Sequence, residues 1–278
     1  MLKTKFKFII YLLILCFLFS SASFATNELL MEEGSSDIAP INGEIDGEIL
    51  PDDGTESSKD PEITQGDLFS TNFGTFRLFE LLNGNVFVIA NEFMMDVSQD
   101  GAVVDGDLFI IASTVTMTST TIYSESSTDL DPEGNPVITS IPISSIVDGN
   151  LYVIANKVVI EPGCQISGAV FIIANDVEIK PHSNIYGNLF VKANNLKLKG
   201  LVGKDFYGIV STFEMGFYGY INRDVHLTAN NAILNGRLHK NSYITANKVI
   251  TQKEFVNDGY LEINASKTIF LGEVVRKC

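Results

Sequence analysis

The chain repeats itself at a short period. Gly84-Asn85-Val86-Phe87-Val88-Ile89-Ala90-Asn91 returns as Gly106-Asp107-Leu108-Phe109-Ile110-Ile111-Ala112-Ser113 and again as Gly149-Asn150-Leu151-Tyr152-Val153-Ile154-Ala155-Asn156. Further copies open at Gly168 and Gly187, and weaker ones close on Ala229-Asn230, Ala246-Asn247 and Ala265-Ser266. The closing alanine stands at 90, 112, 155, 174, 193, 229, 246 and 265. The step of 36 divides into two turns of 18, with Ser211-Thr212 in the middle copy, and the step of 43 is one turn plus an insertion, or two long turns. A degenerate first copy, Gly66-Asp67-Leu68-Phe69, precedes Gly84 by 18 residues, which gives about ten copies.

A period of 17–22 residues made of strand-like pieces specifies an all-β fold, a single-stranded β-helix (β-solenoid) of about ten turns. In the turn from Gly149 to Ser167, Leu151 to Ala155 reads as one strand, Lys157 to Glu161 as a second and Cys164 to Ser167 as a short third, with Pro162-Gly163 at a corner. Three strands per turn make the coil triangular. Alternation along a strand assigns the faces: Val86, Val88 and Ala90 point inward, as do Leu151, Val153 and Ala155, and Val170, Ile172 and Ala174. In the second strand Val177, Ile179, Leu196 and Leu198 point in, and Glu178, Lys180, Lys197 and Lys199 point out. One coil on, Glu178 is expected near Lys197 and Glu161 near Lys180.

Asparagine follows the alanine at Asn91, Asn156, Asn175, Asn194, Asn230 and Asn247. Asparagine tolerates the left-handed conformation and bonds locally, so these are read as corner residues whose amides form a ladder along the axis. Two segments interrupt the repeat. Thr114 to Ile146 is Ser/Thr-rich and carries Asp129-Leu130-Asp131-Pro132-Glu133-Gly134-Asn135-Pro136, which suits a protruding loop. Phe206 to Ile221 is rich in aromatics and glycine and reads as an irregular turn covering apolar surface.

The same alternation turns Phe69, Phe87, Phe109, Tyr152, Phe171 and Phe190 outward, flanked by Ile89, Ile111, Ile154 and Ile173. Stacked apolar side chains on one solenoid face exceed what a monomer leaves exposed, so Phe87, Phe109, Tyr152, Phe171 and Phe190 form a candidate contact face unless another segment covers them. Strand-like sequence, Tyr260 to Leu271, runs almost to Cys278 without a helical cap. An uncapped solenoid end exposes unpaired backbone and invites head-to-tail pairing.

Charge is unevenly placed. The chain has 34 acidic and 19 basic residues, net −15. Lys3, Lys5 and Lys7 precede an apolar run from Phe8 to Phe19 and the small residues Ser23 and Ala25, the pattern of an export signal cleaved after Ala25, with an uncleaved anchor as the alternative. Residues 26–65 are acidic and aperiodic, a disordered tether; residues 66–278 form the repeat domain, with its insertion at 114–146. The expected location is outside the cytoplasm, secreted or at the cell envelope. The acidity excludes nucleic acid as a partner, since phosphates need a basic face. Cys164 and Cys278 remain in the mature chain, paired, intermolecularly linked or free.

Chemistry is sparse. His182, His226 and His239 lie in different copies without convergent partners, so neither a metal site nor a cofactor is expected. No nucleophile elbow or phosphate loop occurs. Asp105, Asp107, Asp148 and Asp176 recur as turn residues, although corner carboxylates would also suit calcium or polysaccharide chemistry.

The units at Gly84, Gly106, Gly149, Gly168 and Gly187, their 18–19-residue spacing and the N-terminal tail together resemble the bactofilins, polymer-forming bacterial cytoskeletal proteins, over roughly residues 66–270. The resemblance implies a right-handed triangular β-helix that polymerises end to end without nucleotide and serves as a scaffold at the membrane. Bactofilins of the familiar type are cytoplasmic, whereas this chain carries an export signal, and the insertion after Ile111 makes its coil less regular. The expected function is therefore a non-enzymatic extracytoplasmic scaffold that self-associates, with cell-wall polysaccharide or membrane as further partners. A carbohydrate-binding or carbohydrate-cleaving β-helix and a monomeric surface adhesin or spacer are the alternatives.

Overall fold

The computed structural model describes residues 64–97, 101–130 and 136–275. The expected export signal, most of the acidic tether and Cys278 lie outside the described residues. The tether's last two residues, Thr64–Gln65, form a short strand paired with Leu82–Asn83.

The described residues are strands and turns, without a helix. Ten long strands stack in parallel in strict chain order: Leu68–Leu78, Val86–Met95, Leu108–Met117, Leu151–Ile160, Val170–Ile179, Leu189–Leu198, Phe206–Met215, Val225–Leu234, Ser242–Thr251 and Leu261–Ile269. Between them run two- or three-residue strands, from Thr64–Gln65 to Glu273–Val274, which stack into a second parallel sheet of eleven. This is a β-solenoid of ten coils, numbered here by their long strands. The first two strands expected per turn are one continuous strand that bends at the alanine–asparagine step: Ala174 pairs with Ala193 and Asp176 with Asn195, and the residue between them is skipped. The third side is shorter than expected, Gln165–Ile166 in the fourth coil.

The inward positions fill the coil. Val86, Val88, Leu151, Val153, Val170 and Ile172 on the first limb and Val177, Ile179, Leu196 and Leu198 on the second are buried, as are Leu82, Val104, Val147 and Ile166 on the third side. Each is covered above and below by the equivalent residue of the adjacent coil. At the corner before the long strand, an added Cβ on Gly106, Gly149, Gly168 or Gly187 would overlap the carbonyl oxygen of the preceding coil's glycine. This close approach is why the repeat opens with glycine.

Two segments differ from expectation. Phe206–Met215 and Tyr220–Ile221 form a regular seventh coil in place of the irregular covering turn expected. The 36-residue step divides as 17 and 19, with Val210 in register with Ala193 and Ala229. Val210 therefore takes the alanine place and Ser211 the asparagine place. The 43-residue step is one coil with an insertion. Thr114–Met117 belongs to the third coil, and Ser119–Leu130 and Pro136–Ser144 form an antiparallel hairpin. Ser145 closes its base by donating from N–H to the Thr118 carbonyl at 3.1 Å and from Oγ at 2.8 Å.

Candidate functional site

Three rows of side chains run along the outside. The first is aromatic. Phe69, Phe87, Phe109, Tyr152, Phe171, Phe190, Tyr207, His226 and Tyr243 occupy the second position of nine successive long strands. Their ring centroids follow at 5.0, 6.5, 4.3, 5.0, 4.6, 4.9, 5.0 and 5.1 Å. All steps are near-parallel except the tilted one between Phe87 and Phe109. At roughly 4.8 Å per coil the row is about 38 Å long. The five expected contact residues all lie in it, outside the core that fills the coils. Phe87 and Phe109 are nevertheless buried, and Tyr152, Phe171 and Phe190 half-buried. Tyr207, His226 and Tyr243, which the sequence reading left out, continue the row. Because each ring lies on the next, the row presents ring edges outward. A sugar stacks on a ring face, and along this row the neighbouring rungs take those faces.

The second row consists of acceptors just before each long strand. Asp67 Oδ1 accepts the Asn85 N–H at 2.9 Å, Asn85 Oδ1 the Asp107 N–H at 3.0 Å, and Asp107 Oδ1 the Asn150 N–H at 2.7 Å. Asn150 then accepts from Ala169, and the pattern resumes from Asn188 through Asp205 and Asp224 to Asn241. The Asn or Asp of the signature thus encodes a hydrogen bond from its coil to the next, and Ala169 interrupts the row. Burial first, and then the Asp107 charge, raise the Tyr152 phenol above its ordinary pKa.

The third row is the corner amides. Asn175 Nδ2 donates to Asn156 Oδ1, Asn194 Nδ2 to Asn175 Oδ1 at 3.0 Å and Asn247 Nδ2 to Asn230 Oδ1 at 3.5 Å, while Ser113 Oγ donates to Asn91 Oδ1 at 3.0 Å. Ser113 and Ser211 interrupt the amides. None of the six asparagines uses the left-handed conformation that the residue tolerates. Among the described residues His182, with φ of 63°, is the one non-glycine residue that does.

The charged and thiol groups have structural partners. Lys180 Nζ reaches Glu161 Oε1 at 2.6 Å, and this bond raises the lysine's pKa. Glu178 pairs in register with Lys197 but bonds to Lys199 at 3.4 Å, one corner further on. Cys164 is a buried free thiol that donates to the Thr118 carbonyl at 3.3 Å, and burial pushes its pKa up to about 12. His226 is a rung of the aromatic row. His239 Nδ1 lies 3.0 Å from Asp258 Oδ2, which also accepts from Arg237 Nε at 2.7 Å; Arg237 Nη2 reaches Oδ1 at 2.9 Å. Among the described residues no group of three or more His, Cys, Asp or Glu side chains could hold a metal ion.

The two ends differ from the middle. In the first coil a bulge between Asn72 and Thr75 turns Phe73 fully outward, and the Asn72 amide bonds the Gly74 N–H at 2.8 Å and the Thr75 carbonyl at 3.2 Å. In the tenth coil Leu261 and Ile263 occupy inner positions yet are only half-buried, and Phe270 and Leu271 are exposed. The strand Leu261–Ile269 pairs on one side alone among the described residues.

Comparison with protein-family models, with curated proteins and with solved structures finds no match to this chain.

Proposed function

We propose that the chain is a non-enzymatic structural protein, an exported scaffold of bactofilin-like kind, which associates with copies of itself through the ends of its β-solenoid. One observation carries this reading: among the described residues nothing covers the tenth coil. Its inner residues Leu261 and Ile263 are half-buried at positions that are buried in the coils from the second to the ninth, and among the described residues its strand pairs on one side alone. Such an edge is completed by pairing with another strand. A second copy supplies one at its own end, with inner positions at the same two-residue spacing. A contact between unlike ends repeats and builds a filament. The outward rows supply cohesion along the coil rather than a reactive centre.

Electron microscopy and light scattering of the chain lacking its first 25 residues test this, with Ile263→Pro and Ile263→Asp as controls. Filaments or large assemblies that vanish in both variants support the reading. A monomer in all three overturns it and directs attention to glycan binding.

A further inference from the structure

The ten coils are not joined equally. At the boundary between the ninth coil, from Ser242, and the tenth, from Leu261, each outward row changes. Glu262, in place of a ring, is in register with Tyr243. The last bond of the acceptor row runs from the Asn241 N–H to Asp224 Oδ1, position 260 holds tyrosine where most coils carry Asn or Asp, and the corner row passes from Asn247 to Ser266. Lys248 is in register with Lys267, which sets like charges side by side.

The interior changes at the same place. The first inner residue of the long strand is Leu, Val or Phe from Leu68 to Val225, but Ser242 in the ninth coil. The last is Leu, Met or Ile from Leu78 to Leu234, but Thr251, and on the third side a Leu, Val or Ile from Leu82 to Leu238 gives way to Asn257. All three polar residues are fully buried. All three are also satisfied: Ser242 Oγ donates to Asn257 Oδ1 at 2.9 Å, Asn257 Nδ2 donates to the Gly259 carbonyl at 2.7 Å, and Thr251 Oγ1 accepts from the Leu271 and Gly272 N–H at 2.8 and 3.1 Å. The ninth coil thus offers the tenth a mixed floor, in which these three polar residues stand beside Ile244, Ala246, Val249 and Phe255. Immediately before Gly259, the Arg237–Asp258–His239 cluster clasps the ninth coil to the eighth.

Adjacent coils of a solenoid are coupled by the apolar surface they bury together. We infer that the tenth coil, residues 259–275, opens as a unit while the first nine stay folded, and that the ninth coil is a second, self-sufficient end of the solenoid. Opening costs the two bonds to Thr251, which water replaces, the strand pairing with Ser242–Thr251 and with Val256–Asn257, and the contact of Phe270 with Phe255. It withdraws Leu261 and Ile263 and leaves a face on which the Ser242, Thr251 and Asn257 groups interrupt Ile244, Ala246, Val249 and Phe255, so it switches end-on association off. This last step rests on the self-association proposed above.

Native-state hydrogen exchange on the full chain tests the inference. Amides of 261–269 are expected to exchange roughly tenfold or more faster than those of 242–251, through an opening that exposes little surface. The double variant Ser242→Val/Asn257→Leu, which restores the apolar pattern, is expected to narrow that ratio and to increase association. Equal exchange of both segments through one global opening overturns the inference. Separate opening in a protein that never associates, wild type or variant, upholds the removable coil and removes the self-association reading instead.

Discussion

The ring of Tyr152 lies 4.3 Å from that of Phe109 and parallel to it within 3°, although 43 positions and a complete hairpin separate the two residues along the chain. The hairpin leaves and re-enters the coil at adjoining points, Thr118 and Ser145, so the coils above and below it keep their register. Removing residues 119–144 and joining Thr118 to Ser145 leaves a coil of 17 residues, the length of the coils that turn at Lys199-Gly200 and Asn235-Gly236. The shortened protein is expected to keep its far-UV circular dichroism and to melt cooperatively within a few degrees of the parent. Loss of cooperative melting would instead make the hairpin a necessary part of the core.

The glycine row has no such tolerance. A methyl at position 168 would overlap the Gly149 carbonyl and come within 2.6 Å of Asn150 Oδ1, the atom that accepts the Ala169 N–H. Backbone on both sides must move, so Gly168→Ala is expected to cost more than about 3 kcal/mol, at the upper end of single substitutions. Gly74→Ala, where the nearest side-chain atom is an ordinary 3.4 Å away, serves as the control and is expected to change stability by less than about 1 kcal/mol. Urea denaturation of the pair checks both values.

Asp258 makes stability depend on acid. Bonds from Arg237, and then from His239, outweigh burial and hold its carboxyl at about 2, below the ordinary 3.8. A carboxyl with a lowered folded pKa contributes fully above its unfolded value and loses that contribution as pH falls toward the folded one. The window is therefore about pH 4 down to pH 2, and the amount is on the order of 2 kcal/mol. Asp258→Asn is expected to lower Tm at pH 5 and to lose part of the fall in Tm that wild type shows between pH 4 and 2. A constant difference between the two proteins across that range would contradict the assignment.

The inner columns, the glycine row and the corner asparagines were legible because two periods coincide in the sequence, the two-residue alternation of a strand and the return of each coil. What defeated the reading was corner length. Lys199-Gly200 turns in two residues and Gly216-Phe217-Tyr218-Gly219 in four, so the coils around Phe206 run 17 and then 19 residues. Equal turns of 18 displace Ser211 by one position, and a shift of one residue exchanges the two faces of a strand. Tyr207 then falls on the inner face and the aromatic row breaks after Phe190; because 17 and 19 sum to two turns of 18, His226 keeps its place but is cut off from the row. The partnership of Arg237, His239 and Asp258 was hidden for the same reason. Glu178 was matched to the lysine in register rather than to Lys199, because the sequence does not reveal which way a long side chain leans at a corner.

Cys164 is buried, bonded to backbone carbonyls at the hairpin base and held as the neutral thiol by its high pKa. Only the thiolate is reactive. The native protein is expected to leave this residue unlabelled by a disulfide reagent at pH 8, and full labelling is expected in urea. Peptide mapping assigns the label to its cysteine. Rapid labelling of Cys164 in the native state would mean that the corner formed by Glu161 and Pro162 opens readily.

The aromatic row can hold the coils together or meet a partner, and substitution separates these roles. Phe171 stacks on Tyr152 at 5.0 Å and on Phe190 at 4.6 Å, whereas Tyr243, the last rung, has one near-parallel neighbour, His226. Each stacked pair contributes about 0.5–1.5 kcal/mol beyond the area it buries. Phe171→Ala is therefore expected to cost about 3 kcal/mol, Phe171→Leu about half of that because it retains apolar volume, and Tyr243→Ala less than about 1 kcal/mol. If the row is internal cohesion, urea midpoints fall in that order while the size of any assembly, measured by light scattering below the transition, stays unchanged. If it is a contact face, Phe171→Leu and Tyr243→Ala reduce assembly while leaving the midpoints nearly in place. The parallel stacking favours the first outcome, since rings that cover one another's faces have already made their strongest contacts within the molecule.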